Sequence, residues 1–138
     1  MSLVRFGISL PKTLMEAFDR QIRRKGYRTR SEALRDLMRD DLVAEAWEER
    51  GGEVVGTITV VYDHATREIT RALTDLQHRF HSHILCATHV HLDPRHCLEV
   101  IVVRGEAERV REIADHLIST RGVKHGKLVC TTTGRELD

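Results

Sequence analysis

The chain has 138 residues, and its 22 lysines and arginines nearly balance its 21 aspartates and glutamates. This length suits one medium domain or two small ones. The near-neutral charge excludes a basic field over the whole protein as the basis of nucleic-acid binding. Only 4% of residues are aromatic, which argues against a stacking platform for single-stranded nucleic acid. The three cysteines form no disulfide framework, no signal peptide or membrane-spanning run is evident, and a cytoplasmic protein without membrane association is expected.

The N-terminal segment LVRFGISL, residues 3–10, alternates apolar and polar side chains. A period of two is typical of a strand with one buried face. The other face of this predicted strand would carry Arg5, Gly7 and Ser9.

Two helices are predicted after this strand. The first spans 12–25 and ends at Gly26, a residue that is favoured just beyond helix C-termini. The second helix runs from near Thr29 to about Glu49. Its start, Thr29-Arg30-Ser31-Glu32, has the form of a capping box.

One strand and two short helices bury too little apolar surface to fold alone, so a dimer with paired strands is expected. A two-stranded ribbon fits the major groove of double-stranded DNA, where Arg5 and Ser9 would make contacts. Arg28 and Arg30, beside the N-terminus of the second helix, would contact a phosphate. Residues 1–50 are therefore predicted to form a dimerising DNA-binding domain.

Gly51-Gly52 predicts a linker, after which a second domain spans 53–138. Asp63 is expected to cap the first helix of this domain. The predicted order of elements is βαββαβ, with strands near 54–62, 83–92, 96–104 and 123–131 and a second helix over 107–120. This order is that of a ferredoxin-like split unit, so the fold class is predicted to be α+β.

Residues 78–97, HRFHSHILCATHVHLDPRHC, hold six of the nine histidines and two of the three cysteines. His89 and His91 are two residues apart on a predicted strand and therefore share a face. A short turn brings Cys97, on the next antiparallel strand, opposite His91. Two imidazoles and a thiolate on one face predict a metal site, with Glu99 placed to accept a hydrogen bond from a ligand histidine.

A fourth ligand must come from elsewhere. His78, at the end of the preceding helix, is the best candidate, and His81, His83 and His96 are rivals. Three histidines and one cysteine accept Zn, Cu, Co or Ni, so geometry would have to select the metal. Four protein ligands leave no open position for catalysis, and no nucleophile–base pair is evident, so an enzyme is not expected.

A metal site is not the only interpretation of these residues. Histidines that alternate along a strand are often a merely polar surface, but the cysteine across the turn and the glutamate two residues beyond it make a metal the better interpretation. Cys86 and Cys130 are expected to be small core residues. His64, His116 and His125 are isolated in the sequence and are expected to be surface or hydrogen-bonded histidines.

The chain resembles the nickel-responsive transcriptional regulators of the NikR family over nearly its whole length. The resemblance rests on four segments: RRKGYRTRSEALRDLMR, VYDH, HVHLDPRHCLEV and GVKHGKL. It implies a homotetramer, a dimer of dimers, in which ribbon-helix-helix domains (1–50) flank a core of ferredoxin-like, ACT-like domains (53–138). It further implies that Ni(II) binding leads to repression of nickel-uptake genes.

The resemblance also implies one square-planar Ni(II) site per subunit, shared across an interface. His89, His91 and Cys97 match the ligands from one subunit. His78, preceded by Gln77 as is frequent in the family, matches the ligand from a neighbour.

A secondary monovalent or divalent cation site is implied as well, in which Glu32 and Asp36 match the carboxylates of the family. Gly7 departs from the family pattern, which commonly carries a polar side chain at this position of the DNA-reading strand. The alternative function is that of a ribbon-helix-helix regulator that responds to another metal or to a small amino-acid-like effector.

Overall fold

The computed structural model describes residues 2–49 and 51–137. Its helices are α1 (Lys12–Arg24), α2 (Arg30–Glu48), α3 (Ile69–Arg79) and α4 (Ala107–Ile118), and its strands are β1 (Glu53–Asp63), β2 (Ile84–His91), β3 (His96–Glu106) and β4 (Val123–Thr131). The chain divides into two compact units, Met1–Asp40 and Asp41–Asp138. Among the described residues, no helix has the length and hydropathy needed to cross a bilayer.

The four strands of the C-terminal unit form one antiparallel sheet in the order β2-β3-β1-β4. With the chain order βαββαβ, this is the ferredoxin-like arrangement, and the predicted α+β fold class is confirmed. The core lies between one sheet face and the two helices, because alternate strand residues are buried against residues of α3 and α4 such as Leu73, Ile113 and Leu117.

The strand predicted over residues 3–10 does not form in the single chain, because among the described residues this segment pairs with no other strand. Residues 2–11 carry no regular secondary structure, and the side chains of Val4 and Phe6 are 86% and 66% exposed. Apolar residues of the two helices, Leu14 and Leu37, are exposed as well. A single copy therefore leaves uncovered the apolar surface that the expected dimer would bury.

The two predicted helix starts have different outcomes. Thr29 Oγ1 accepts a hydrogen bond from the Glu32 backbone N–H at 3.1 Å, which confirms the predicted cap of α2. Asp63 does not cap α3, which begins only at Ile69. Its buried carboxylate instead accepts the N–H of Ala65 and the guanidinium of Arg95, and these bonds hold the pKa of Asp63 below its usual range.

The end of α2 belongs to the C-terminal unit. Trp47 is 3% exposed and lies in the core of that unit, where its indole N–H donates to the carbonyl oxygen of Thr131 at 2.8 Å. Arg111 donates to the carbonyl oxygen of Trp47 at 3.1 Å, and its guanidinium lies 5.5 Å from the indole ring centroid. The contacts thus place residues 41–48 with the sheet, ahead of the linker predicted at Gly51-Gly52.

Candidate metal centre

The β2–β3 hairpin places three of the predicted ligands, His89, His91 and Cys97, on one face of the sheet. His91 is directly opposite Cys97 and His89 is opposite Glu99, as the alternation of faces predicts. Cys97 is fully buried, and its Sγ lies 3.5 Å from Nδ1 of His91. A thiol and an imidazole at this distance are positioned to share one metal ion with little rearrangement.

The turn of this hairpin is fixed by Asp93. Its Oδ1 accepts the backbone N–H groups of Arg95 and His96 at 2.8 and 2.7 Å, and its Oδ2 lies 2.9 Å from Nδ1 of His96. Bonds from the His96 side chain and from these two backbone groups lower the pKa of Asp93 to about 2. Because Lys124 Nζ lies 3.2 Å from Nε2 of His96, both ring nitrogens of this rival ligand have partners within the chain.

His89 lies in a polar network on the helix-covered face of the sheet. Its Nε2 is 2.9 Å from the hydroxyl of Tyr62, and its Nδ1 is 3.8 Å from Oε2 of Glu99. Tyr62 donates to the same carboxylate at 3.3 Å, and Gln77 donates to its other oxygen at 2.7 Å. The network positions His89 and ties the end of α3 to the strand that carries Cys97.

Burial, followed by the nearby Glu99 carboxylate, raises the pKa of the Tyr62 hydroxyl, so the phenol stays protonated at neutral pH. Replacing Tyr62 with Phe removes this hydroxyl and keeps the ring. We expect Tyr62→Phe to weaken metal binding about 10–100-fold, the usual effect of removing a group that orients a ligand histidine. Competition with a chromophoric chelator measures this change, and an unaltered affinity would show that the hydroxyl does not position His89.

His64 is not isolated, contrary to the sequence-based expectation. It follows β1, and its Nδ1 lies 3.6 Å from Sγ of Cys97. His64, His91 and Cys97 are the metal-type cluster found among the described residues, with one ligand atom of each within 4.8 Å of the others. The order of the strands explains why His64 is close to Cys97, because the end of β1 lies beside the start of β3, with Tyr62 opposite Cys97. The local sequence pattern does not reveal that order.

The other candidate ligands lie outside this cluster. His78 is exposed on α3 and is not brought to the hairpin of its own chain. His81 Nδ1 lies 2.9 Å from the carbonyl oxygen of His78, and His83 Nδ1 lies 3.0 Å from the hydroxyl of Ser82. His78 therefore remains the candidate that faces outward without a side-chain partner among the described residues.

The expectation for the two remaining cysteines is wrong for the single chain. Cys86 and Cys130 were expected to be core residues, yet both are exposed. They lie on β2 and β4, which are the edge strands of the sheet. Residues of an edge strand lack a neighbouring strand on one side and are covered less than those of central strands.

The predicted DNA contacts lie in the N-terminal unit. Arg5, Ser9 and Arg28 are exposed. Arg30 instead makes two hydrogen bonds to Asp19 of α1, at 2.9 and 2.8 Å, and this pairing lowers the pKa of the Asp19 carboxyl. Arg30 thus joins α1 to the start of α2, whereas Arg28 is the more available of the two for a phosphate.

The implied secondary cation site stays a prediction. Asp36 accepts hydrogen bonds from the phenol of Tyr27 and from Arg39, and these bonds lower the pKa of its carboxyl. Glu32 is half-buried near the start of α2. Within residues 2–49, no group of three metal-type ligand atoms comes together.

Two family models match the chain. That of the NikR C-terminal nickel-binding domain covers residues 55–131, and that of the ribbon-helix-helix proteins of the copG family covers residues 4–45. An uncharacterised protein from Thermotoga maritima has a similar structure, with a TM-score of 0.52 and 17% identity over 58% of this chain and 99% of that one. This last likeness concerns the fold alone.

Full-length relatives agree with these matches. A protein from Thermococcus onnurineus is 56% identical over 137 residues, 99% of each chain. One from Geotalea uraniireducens is 57% identical over 134 residues, 97% of this chain and 96% of that one. Both are provisionally named nickel-responsive regulators. The chain described here, with its ribbon-helix-helix DNA-binding domain and its nickel-binding domain, belongs to the NikR family of nickel-responsive transcriptional regulators.

Proposed function

We propose that the protein is a homotetramer that binds operator DNA and represses nickel-uptake genes when Ni(II) occupies sites shared between subunits. His89, His91 and Cys97 of one subunit and His78 of a second would hold one Ni(II) ion per subunit. The observation that carries this proposal is the hairpin register, which sets His91 opposite Cys97 with Nδ1 and Sγ 3.5 Å apart. Imidazole and thiolate are ligands that suit nickel.

The position of His78 supports a shared site. Its side chain is exposed, and it does not join the cluster around Cys97 in its own chain. Gln77, the residue before it, is bonded to Glu99. An exposed ligand at a fixed point of a helix is suited to complete the coordination of a second copy.

The uncovered face of the sheet supports assembly. Apolar side chains that are half-exposed or exposed continue across all four strands on the side away from α3 and α4: Val55, Val61, Val90, Leu98, Val100, Val102 and Val129. Contiguous apolar surface of this kind marks protein–protein contacts. Pairing two such faces would form the core of a tetramer, and the exposed N-terminal segments would pair with each other as strands outside that core.

When bound, Ni(II) supplies a centre to which imidazoles and a thiolate from two subunits can bond at once. The residues of the chain determine which arrangement of subunits this bonding favours. Because His78 lies at the end of α3, a shared site fixes that helix relative to the hairpin of the second subunit. Such a site favours one arrangement of subunits over others, and operator DNA that prefers the same arrangement must tighten nickel binding by an equal factor.

Sedimentation equilibrium of the full chain, combined with metal analysis and binding to DNA selected from a random pool, tests the proposal. We expect four copies per particle, one Ni(II) per copy, and DNA binding that increases with nickel. A particle of two copies, or DNA binding that is equal with and without nickel, would contradict the proposal.

A further inference from the structure

The chain passes from its first compact unit to its second inside helix α2. The first unit ends at Asp40, yet α2 continues without interruption through residues 41–48, which we call the anchor segment. Apolar residues of the anchor segment, Val43, Ala46 and Trp47, lie in or against the hydrophobic core of the sheet. The anchor segment therefore packs with the sheet, while its backbone continues the helix of the N-terminal unit.

Gly56 of β1 makes room for Trp47 on the sheet. A Cβ atom at Gly56 would lie 3.2 Å from the indole ring and 2.9 Å from the side chain of Leu128, so any larger residue would displace a neighbour. The indole N–H is bonded to the carbonyl oxygen of Thr131, and the whole residue is buried. A buried aromatic ring whose polar group has a partner is held in one position.

Arg111 of α4 holds the end of the same helix. Its guanidinium donates to the carbonyl oxygen of Trp47 at 3.1 Å, lies 3.4 Å from a carboxylate oxygen of Glu48, and lies over the indole ring. Carbonyl groups in the last turn of a helix have no partner within the helix, and a basic side chain that bonds to them stabilises the helix end. The anchor segment is thus held at its side by the core and at its end by α4.

These contacts bear on the role of Gly51-Gly52. The two glycines lie between the anchor segment and β1, and both of these elements belong to the same unit. While Trp47 stays buried, rotation about the glycine backbone therefore changes only the shape of a loop within that unit. The joint between the two units is helical backbone instead, which resists bending because each turn is hydrogen-bonded to the next.

We propose that the anchor segment connects the metal-binding domain rigidly to the DNA-binding domain, and that Gly51-Gly52 is a loop of the metal-binding domain. The inference rests on the proposed function, in which an arrangement of subunits that nickel favours must reach the N-terminal strands. A flexible tether would let the DNA-binding domains sample the same positions with and without nickel. A helix that is anchored in the sheet moves with it, so Trp47, Gly56 and Arg111 act as positioning residues for operator binding.

Two insertions of equal length in the full chain test the connector. A Gly-Gly insertion between Asp40 and Asp41 weakens the helix at the joint, because glycine disfavours helix. The same insertion between Gly51 and Gly52 only lengthens the loop. Coupling between sites typically changes affinity about 5–150-fold, and we expect the first insertion to reduce the nickel-dependent gain in operator affinity to less than about twofold.

The second insertion is the matched control and should leave this gain unchanged. Nickel affinity in the absence of DNA should be unchanged in both variants, since neither insertion enters the sheet or its hairpin. A nickel-dependent gain that survives the first insertion, or that is lost with the second, would overturn the proposed connector.

Hydrogen exchange and fluorescence of the unaltered chain test the connector independently of nickel. We expect amides of residues 38–44 to exchange slowly, as those of continuous, packed helix do. Trp47, the only tryptophan, should emit at the short wavelengths of a buried indole. Fast exchange over 38–44, or the emission of an exposed indole, would overturn the proposal. If DNA binding of the unaltered chain ignores nickel, the proposed function fails, whereas slow exchange would still support the helical joint.

Discussion

Replacing Cys97 with Ala is expected to abolish nickel-dependent operator binding. In the proposed nickel site Cys97 would contribute the thiolate, and no other described cysteine lies near the hairpin face that carries His91. We expect Ni(II) affinity to fall by more than about 100-fold, beyond the effect of losing an orienting group. The fold should persist, because the substitution removes one buried sulfur atom and lowers the free energy of unfolding by only about 1–2 kcal/mol.

Absorbance and DNA binding measure the two parts of this prediction. Wild-type protein should show a thiolate-to-nickel charge-transfer band, and the variant should not. Cys130→Ala is the matched control, since Cys130 is exposed at the other edge of the sheet. A Cys97→Ala variant that still binds operator DNA only with nickel would exclude this thiolate from the site. A charge-transfer band in the Cys97→Ala variant would likewise exclude this thiolate from the site.

Replacing Arg5 with Ala is expected to weaken operator binding while leaving nickel affinity in the absence of DNA unchanged. Arg5 is exposed in the single chain, on the segment that the family model assigns to the ribbon-helix-helix domain. A bidentate arginine–guanine pair contributes about 1–3 kcal/mol of discrimination against the wrong base. The operator affinity should therefore fall by roughly 5–150-fold for each such contact, and discrimination among bases should relax at one position.

Fluorescence anisotropy against selected and scrambled DNA checks this result. Arg20→Ala serves as control, because Arg20 is an exposed residue of α1. A uniform loss on all DNA would assign Arg5 to phosphate contacts. Loss of nickel binding by Arg5→Ala in the absence of DNA would contradict the assignment of DNA binding to the N-terminal domain and of metal binding to the C-terminal domain.

Local patterns in the sequence predict much of the fold and of the site. Alternation of side chains along β2 and β3 is sufficient to set His89 and His91 on the face of Cys97, since strand geometry and a short turn fix the register. The cap of α2 follows likewise from four consecutive residues, as Thr29 and Glu32 demonstrate. Predictions of this kind depend on neighbours close in the chain.

The features that the sequence did not predict depend on contacts between segments that are distant in the chain. His64 approaches Cys97 because β1 lies between β3 and β4, a pairing that no local periodicity encodes. Trp47 joins the sheet domain through Thr131, a residue far along the chain. Cys86 and Cys130 have patterns typical of core strands, but they lie on edge strands, and only the sheet order identifies which strands are at the edge.

Subunit complementation tests most directly whether the nickel site is shared. Protein with His78→Ala and protein with Cys97→Ala are each expected to lack tight nickel binding. After the two are unfolded together and refolded, a mixed tetramer can combine the intact hairpin of one subunit with His78 of another. About one quarter of the sites should then recover tight binding and the charge-transfer band, as random assembly of symmetric subunits requires. A mixture that binds no more nickel than its two components would contradict a site shared between subunits.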